Sequence, residues 1–342
     1  MNSNSINKLW VEKYRPNNIN KIIQDDIRLL ITSKNNLSDL PHLLLHGPPG
    51  TGKTSTALAI CKYVYQIPEH IHNYKRILKE RVLELNASDE RGIKSVREQI
   101  KTFANQALNN YSNIPKYKII ILDEADAMTN DCQFALRRII EINSNTTRFI
   151  LICNHVTKII PPLVSRCSKY TFNKINITDM TNIMSNILIK ESVYYSEENL
   201  SNIMQHLYNC VDGDLRKATT LLQQAVYISN VNNVPLSVEL IFSVSGQITA
   251  EQITTIYNII TKSKSYLDIN NILIKILADG FTYSDILNKL SYLVLQDISI
   301  NDFNKAQIFI KLSNISHLLA TGSEMYIQLL GIFSFINHLI VK

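Results

Sequence analysis

His46-Gly47-Pro48-Pro49-Gly50-Thr51-Gly52-Lys53-Thr54-Ser55 is the stretch on which the reading of this chain turns. It fits G-x-x-x-x-G-K-[ST], the loop that wraps a nucleotide's phosphates. Gly47, Gly50 and Gly52 leave space for backbone N–H groups to close on an anion, space that a side chain would fill. Pro48, Pro49 and Thr51 complete the loop. Lys53 is placed to reach the β- and γ-phosphates, Thr54 to offer its hydroxyl to Mg²⁺, and Ser55 follows as a further nucleotide-binding position. The flanks agree with this reading. His42-Leu-Leu-Leu-His46 is a short apolar run expected to form a buried strand. Lys53–Tyr65 has the pattern of a helix, whose N-terminus adds its own field for phosphate. The chain is therefore expected to bind a nucleoside triphosphate.

Working outward, the first half alternates strand-like and helix-like segments, the pattern of an α/β domain built on a parallel sheet. Strands are expected at His42–His46, Arg81–Asn86, Lys118–Leu122, Arg148–Cys153 and Ser168–Phe172. Ligands in such sheets sit at the carboxyl ends of the strands, and polar residues collect there. The third strand delivers Asp123-Glu124-Ala125-Asp126. Asp123 suits a role in holding Mg²⁺, and Glu124 suits polarising a water for attack on the γ-phosphate, so hydrolysis is expected as well as binding. The fourth ends in Asn154, which either contacts the γ-phosphate or attacking water, or simply terminates a strand. After about Asn173 the strands stop. Helices are expected over Thr178–Ser192, Glu197–Tyr208 and Asp214–Ile228, with Thr178 and Ser196 as N-caps. Ser229–Pro235 reads as a linker, and helical spacing resumes from Leu236. This gives a division into 1–173, 174–235 and 236–342.

Bulk properties exclude several classes. The 342 residues suggest two to three domains, and 45% hydrophobic content is ample for packed cores. Five cysteines are scattered without a C-x-x-C pair, which argues against a zinc site or disulfide framework and fits a reducing compartment. Met1–Lys8 is polar and lacks the apolar core of a signal peptide. Tyr326–Val341 is apolar but interrupted by Gln328, Asn337 and His338, so a buried helix is expected rather than a membrane span. A net charge of +6 permits nucleic-acid contact without establishing it.

The order of phosphate loop, acid pair, strand-end Asn154, Ser165-Arg166-Cys167 and Gly213-Asp214-Leu215-Arg216 resembles AAA+ ATPases of the clamp-loader clade. Trp10-Val11-Glu12-Lys13-Tyr14-Arg15-Pro16, Glu84-Leu-Asn-Ala-Ser-Asp-Glu-Arg-Gly-Ile93 and Ala135-Leu-Arg-Arg138 are similar to boxes of the small subunits of replication factor C, most of all the one called the fourth in human naming. The likeness is dense from Trp10 to about Phe172, continues to Ala218, and is topological beyond. It implies an AAA+ P-loop module with a parallel sheet, a helical lid and an all-α C-terminal collar. It also implies ATP and Mg²⁺ as ligands and DNA-stimulated hydrolysis. Arg166 matches the arginine finger that serves the neighbouring subunit's ATP, as a forked, permanently charged guanidinium suits. Arg216 matches the second sensor of the chain's own ATP. Val11 and Arg15 match positions flanking base and phosphates, although packing of the N-terminal arm accounts for them as well. Arg91, Lys94 and Arg97 match a helix that follows the DNA backbone by phosphate contacts; an ordinary solvated face is the other reading.

The partners implied are a large subunit and other small subunits in a heteropentamer, a PCNA-type sliding clamp and primer–template DNA, in the nucleus and away from membranes. Two other readings share these motifs: a self-sufficient DNA motor such as a helicase or branch-migration ATPase, and a mainly architectural loader subunit. The helical C-terminus weighs against the first, and the complete set of ATP-site residues against the second.

Overall fold

The computed structural model describes residues 9–16, 18, 25–32, 40–65, 74–88, 93–106, 115–195, 197–263 and 265–340. After α1 (Trp10–Lys13) and α2 (Asp25–Thr32) come β1 (Leu43–His46), α3 (Lys53–Tyr65), α4 (Tyr74–Arg81), β2 (Val82–Asn86) and α5 (Ile93–Asn105). The alternation continues through β3 (Lys118–Asp123), α6 (Asn130–Asn143), β4 (Thr147–Cys153), α7 (Pro161–Val164) and β5 (Ser168–Thr171). Only helices follow: α8 (Ile177–Lys190), α9 (Glu197–Val211), α10 (Leu215–Asn232), α11 (Val238–Ser245), α12 (Ala250–Lys262), α13 (Tyr266–Asp279), α14 (Tyr283–Gln296), α15 (Asp302–Ala320) and α16 (Met325–Ile340). Contacts gather these elements into two compact units, one of Met1–Val193 with Val211–Gln223, the other of Tyr194–Cys210 with Gln224–Lys342.

In the first unit the five strands form one parallel sheet in the order β2-β3-β4-β1-β5. The inner strands β1, β3 and β4 are covered on both faces, which is why they read as unbroken Ile and Leu runs. Successive side chains point to opposite faces. Leu43, Leu45, Ile119, Ile121, Ile150 and Ile152 pack with Ile60, Val64 and Tyr65 of α3 on one side. Leu44, Ile120, Leu122, Phe149 and Leu151 pack with Leu136 and Ile140 of α6 on the other. The edge strands β2 and β5 are partly exposed and correspondingly more polar. The strand order puts the C-terminal ends of β3, β4 and β1 side by side. Acid pair, Asn154 and phosphate loop thereby share one rim.

Three local expectations are corrected. Arg81 closes α4 instead of opening β2, its buried side chain donating from Nη1 to the Pro115 carbonyl at 2.7 Å. The N-cap of α8 is Asn176, which accepts from the Asp179 N–H at 2.8 Å; Thr178 lies inside the first turn and donates to the Asn176 side chain. Helix α10 runs on to Asn232, through the first half of the expected linker. Ser196 lies outside the described residues.

The second unit packs α12–α16 around one core, with Ile253, Ile260, Leu273, Leu290, Ile308 and Phe333 at its centre. A capping box between Thr249 and Gln252 starts α12. Asn337 is polar in an apolar helix because its amide donates to the carbonyls of Ile260 (2.7 Å) and Ser263 (2.8 Å), holding α16 to the end of α12. Among the described residues no helix is long and apolar enough to cross a membrane. All five cysteines are free thiols.

Candidate nucleotide-binding and hydrolysis site

The phosphate loop is held open by contacts that only glycine permits. Gly47 has φ +147°, and a Cβ there would stand 2.0 Å from the carbonyl oxygen of Phe172, just beyond β5. Its N–H meanwhile donates to the Cys153 carbonyl at 3.3 Å, at the end of β4. Gly50 has φ +71°, and a Cβ there would lie 1.8 Å from Asp214 Oδ1. Thr51 is buried and donates back to the Pro48 carbonyl at 2.9 Å, closing the loop on itself. Replacing Gly47 with Ala should cost at least ~2 kcal/mol, from a disfavoured φ and a backbone clash together. For a unit of this size, thermal denaturation should then shift down by roughly 4–8 °C. An unchanged melting temperature would show that the loop relaxes freely.

Lys53, first residue of α3, is only 7% exposed. Its Nζ donates to the carbonyls of Gly47 and Pro48, both at 2.7 Å, and to Asn154 Oδ1 at 2.9 Å. Burial, the largest influence, pushes its ammonium below the usual lysine value, while Asp123 pulls it back up. An ammonium held only by neutral oxygens is one that a phosphate would attract strongly. Thr54 Oγ1 donates to Asp123 Oδ2 at 2.7 Å. Two hard oxygens converging at one point suit Mg²⁺, which favours one or two protein ligands completed by phosphate and water. Thr54 and Asp123 would hold the ion, and it would supply charge neutralisation for the phosphates.

Glu124 is exposed and adopts a left-handed backbone, φ 53° and ψ 40°, with its N–H on Asp123 Oδ1 at 2.9 Å. Strained non-glycine backbone of this kind is found where surrounding structure over-determines a functional position. Asp123 is bonded to Thr54 while its neighbour Glu124 is exposed, so the two consecutive carboxylates stand in different surroundings. Asp126 accepts the N–H groups of Asn154 (3.2 Å) and His155 (3.0 Å), fixing the start of the loop after β4. Buried Gln133 of α6 donates to the carbonyls of Met128 (3.1 Å) and Lys158 (3.0 Å) and accepts the Ile160 N–H at 2.8 Å. It ties the loops after β3 and β4 together. Sequence reasoning gave neither residue a role. Asp126 stood in the quoted motif, but Gln133 left no local signal.

Two other elements of the same unit reach the loop. Asp214 caps α10, accepting the N–H groups of Arg216 (2.9 Å) and Lys217 (3.1 Å), while the Leu215 N–H donates to the Gly50 carbonyl at 3.1 Å. Exposed Arg216 thus stands in the first turn of a helix seated on the phosphate loop, and its charge contributes to depressing the Lys53 ammonium. From the N-terminal side, Arg15 Nε donates to Ser55 Oγ at 3.2 Å. Half-buried Val11 lies on α1, whose Trp10 N–H donates to Gln223 of α10 at 3.0 Å and whose Lys13 pairs with Glu191 at 2.6 Å.

Arg166 is not part of this cluster's bonding. It follows α7, with Nη1 on the Pro162 carbonyl at 2.8 Å and Nη2 on Glu141 of α6. Lys94 and Arg97 fall on α5, though their side chains, and Arg91 altogether, lie outside the described residues.

A phosphate loop after β1, an acid pair after β3 and an Asn after β4, on this strand order with trailing helices, define an AAA+ P-loop ATPase. Residues 43–174 match the ATPase family associated with various cellular activities, and residues 248–334 match the replication factor C C-terminal domain. Replication factor C subunit 4 of Arabidopsis thaliana is 40% identical over 95% of this chain and 93% of that protein. Subunit 4 of Homo sapiens is 38% identical over 94% of this chain and 86% of that protein, and subunit 2 of Saccharomyces cerevisiae 38% over 96% and 93%. The chain belongs to the replication factor C small-subunit family. Among solved structures, the Thermotoga maritima RuvB Holliday junction branch migration motor superposes with a TM-score of 0.51 over 81% of this chain and 91% of that one. At 14% identity that likeness concerns the fold alone.

Proposed function

We propose that this chain is an ATP-hydrolysing subunit of a sliding-clamp loader, acting in the nucleus within a heteropentamer of one large and several small subunits. The observation that carries the proposal is the presence, on one chain, of a phosphate loop bonded to Asp123 and Asn154 and of a match to the replication factor C C-terminal domain. Within the chain, residues 1–173 bind nucleotide, 174–235 act as the lid, and 236–342 form the collar that joins subunits. ATP lies along Gly47–Ser55 with Val11 and Arg15 beside it, Lys53 and Asn154 at its γ-phosphate, and Arg216 closing over it. Glu124 takes the proton of the attacking water. Arg166 serves the ATP of the adjoining subunit. Arg91, Lys94 and Arg97 follow the phosphates of primer–template DNA, giving affinity without sequence preference. Binding of ATP opens a PCNA-type clamp, and DNA-stimulated hydrolysis releases it closed on the duplex.

Replacing Glu124 with Gln in the assembled complex tests this. General-base removal costs about 10²–10⁴-fold, so hydrolysis at this site should fall by that factor with ATP still bound, and clamp loading should slow with it. Loading at full rate would mean an architectural subunit. A self-sufficient DNA motor shares the fold; the replication factor C C-terminal domain match weighs against it, and strand unwinding by the chain alone would decide for it.

A further inference from the structure

We propose that Glu141 is the positioning residue that sets the guanidinium of Arg166 for the adjoining subunit's ATP, with Arg137 steadying Glu141 from behind. The inference deepens the reading of Arg166 as a finger and rests on it. Arginine is a long, rotamer-rich side chain, and a finger that acts in trans has to be ordered before its substrate arrives. Two acceptors order this one. Pro162 offers its carbonyl to Nη1 at 2.8 Å, and Glu141 offers Oε1 to Nη2. The same Oε1 accepts Arg137 Nε at 3.0 Å, one turn earlier on α6. A single carboxylate oxygen therefore bridges two guanidinium groups from different elements, α6 and the turn after α7.

The geometry leaves the finger usable. Of the five N–H donors of Arg166, the two bonds engage one on each Nη. Among the described residues, Nε–H and the second hydrogen of each Nη take no other partner, which leaves them for phosphate oxygens. Arg166 and Glu141 side chains are 32% and 39% exposed, so the pair adds little to stability. Its consequence is orientation. The hydrogen bond from Arg137, above all, and the charges of both arginines hold the Glu141 carboxyl below the usual carboxylate range, so it is ionised at neutral pH. Arg137, Arg138 and Glu141 also line an open groove along α6. Asp131 lines the same groove, so its two arginines stand beside two carboxylates, and what Arg166 gains from Glu141 there is orientation rather than a net positive field.

The test is single-turnover ATP hydrolysis in the assembled complex, this chain's own site being silenced by Glu124→Gln. Arg166→Ala defines the phase that depends on the finger. Glu141→Ala should slow that phase about 10-fold. Glu141→Gln, which keeps an amide oxygen as acceptor, should slow it about 3-fold. Arg137→Ala, which leaves the Arg166 pair intact, should act as mildly. ATP affinity at the adjoining site should be unchanged, and the double variant Arg166→Ala/Glu141→Ala should be no slower than Arg166→Ala. If Arg166→Ala removes a phase that Glu141→Ala leaves at wild-type rate, the positioning role is wrong and the finger stands. Additive losses in the double variant would place Glu141 in another role. If Arg166→Ala changes nothing, the finger reading and this proposal fall together.

Discussion

Lys53→Ala is expected to abolish ATP binding by this chain while leaving its fold intact. The ammonium sits on three neutral oxygens, at Gly47, Pro48 and Asn154, and burial already disfavours its charge. Without ligand, the protein bears the cost of a desolvated cation. If the phosphates of ATP lie on this loop, that cation meets them with little water of its own, Lys53 being buried. Charge-assisted hydrogen bonds contribute about 1.5–3 kcal/mol each, so losing the contacts to two phosphate groups should weaken binding by about 10²-fold or more. Removing a buried charge does not endanger the apo fold, and apo stability should stay level or rise slightly. Differential scanning of both proteins separates the effects. At ATP near 100 times Kd, the wild type gains about 2.7 kcal/mol, and its melting temperature should rise by roughly 5–10 °C. The variant should show no such rise. Retained ATP stabilisation in Lys53→Ala would mean that the phosphates sit elsewhere.

The second large effect is a split in activity between chains. Lys53, Thr54, Asp123, Glu124 and Asn154 are bonded into one site, whereas the guanidinium of Arg166 is engaged with Glu141 and Pro162. If Arg166 acts on the adjoining subunit's nucleotide, then a lone chain has a site without a finger and a finger without a site. Arginine fingers in GTPases are worth about 10³–10⁵ in rate. The chain by itself should therefore turn over ATP at least about 10³-fold more slowly than the stimulated assembly. Arg166→Ala in the assembly should restore that slowness at one site only, the neighbour's, with ATP binding by this chain unchanged. Loss of ATP binding here would refute the assignment to the neighbour.

The parts of this site legible in the sequence are those whose chemistry is local. A phosphate loop needs glycines at fixed spacing and a strand before it, and both are written within ten residues. Runs such as Ile119–Leu122 announced buried strands because the inner strands are covered on both faces. What stayed hidden depends on residues far apart in the chain. Asp214 packs against Gly50, and Trp10 bonds to Gln223, for which no nearby pattern exists. Gln133 looks like any polar residue in a helix until the loops after β3 and β4 are both in place. The cap of α8 was misplaced by two residues because Asn176 and Thr178 both carry a side-chain oxygen able to accept an N–H. Helix α10 outran its expected end because its last turn is closed by local bonds: Ser229 Oγ donates to the Val234 carbonyl, the Val234 N–H donates to the Ser229 carbonyl at 3.1 Å, and Asn233 adopts the left-handed backbone that ends a helix.

The measurement that tests the central claim most directly is the ATPase rate of this chain alone, then mixed with its partner subunits, with and without clamp and primed DNA. The account predicts near silence alone and strong activity only in the full mixture, lowered by Arg166→Ala without loss of ATP binding. Vigorous hydrolysis by the single chain, stimulated by DNA in the absence of any clamp, would contradict it.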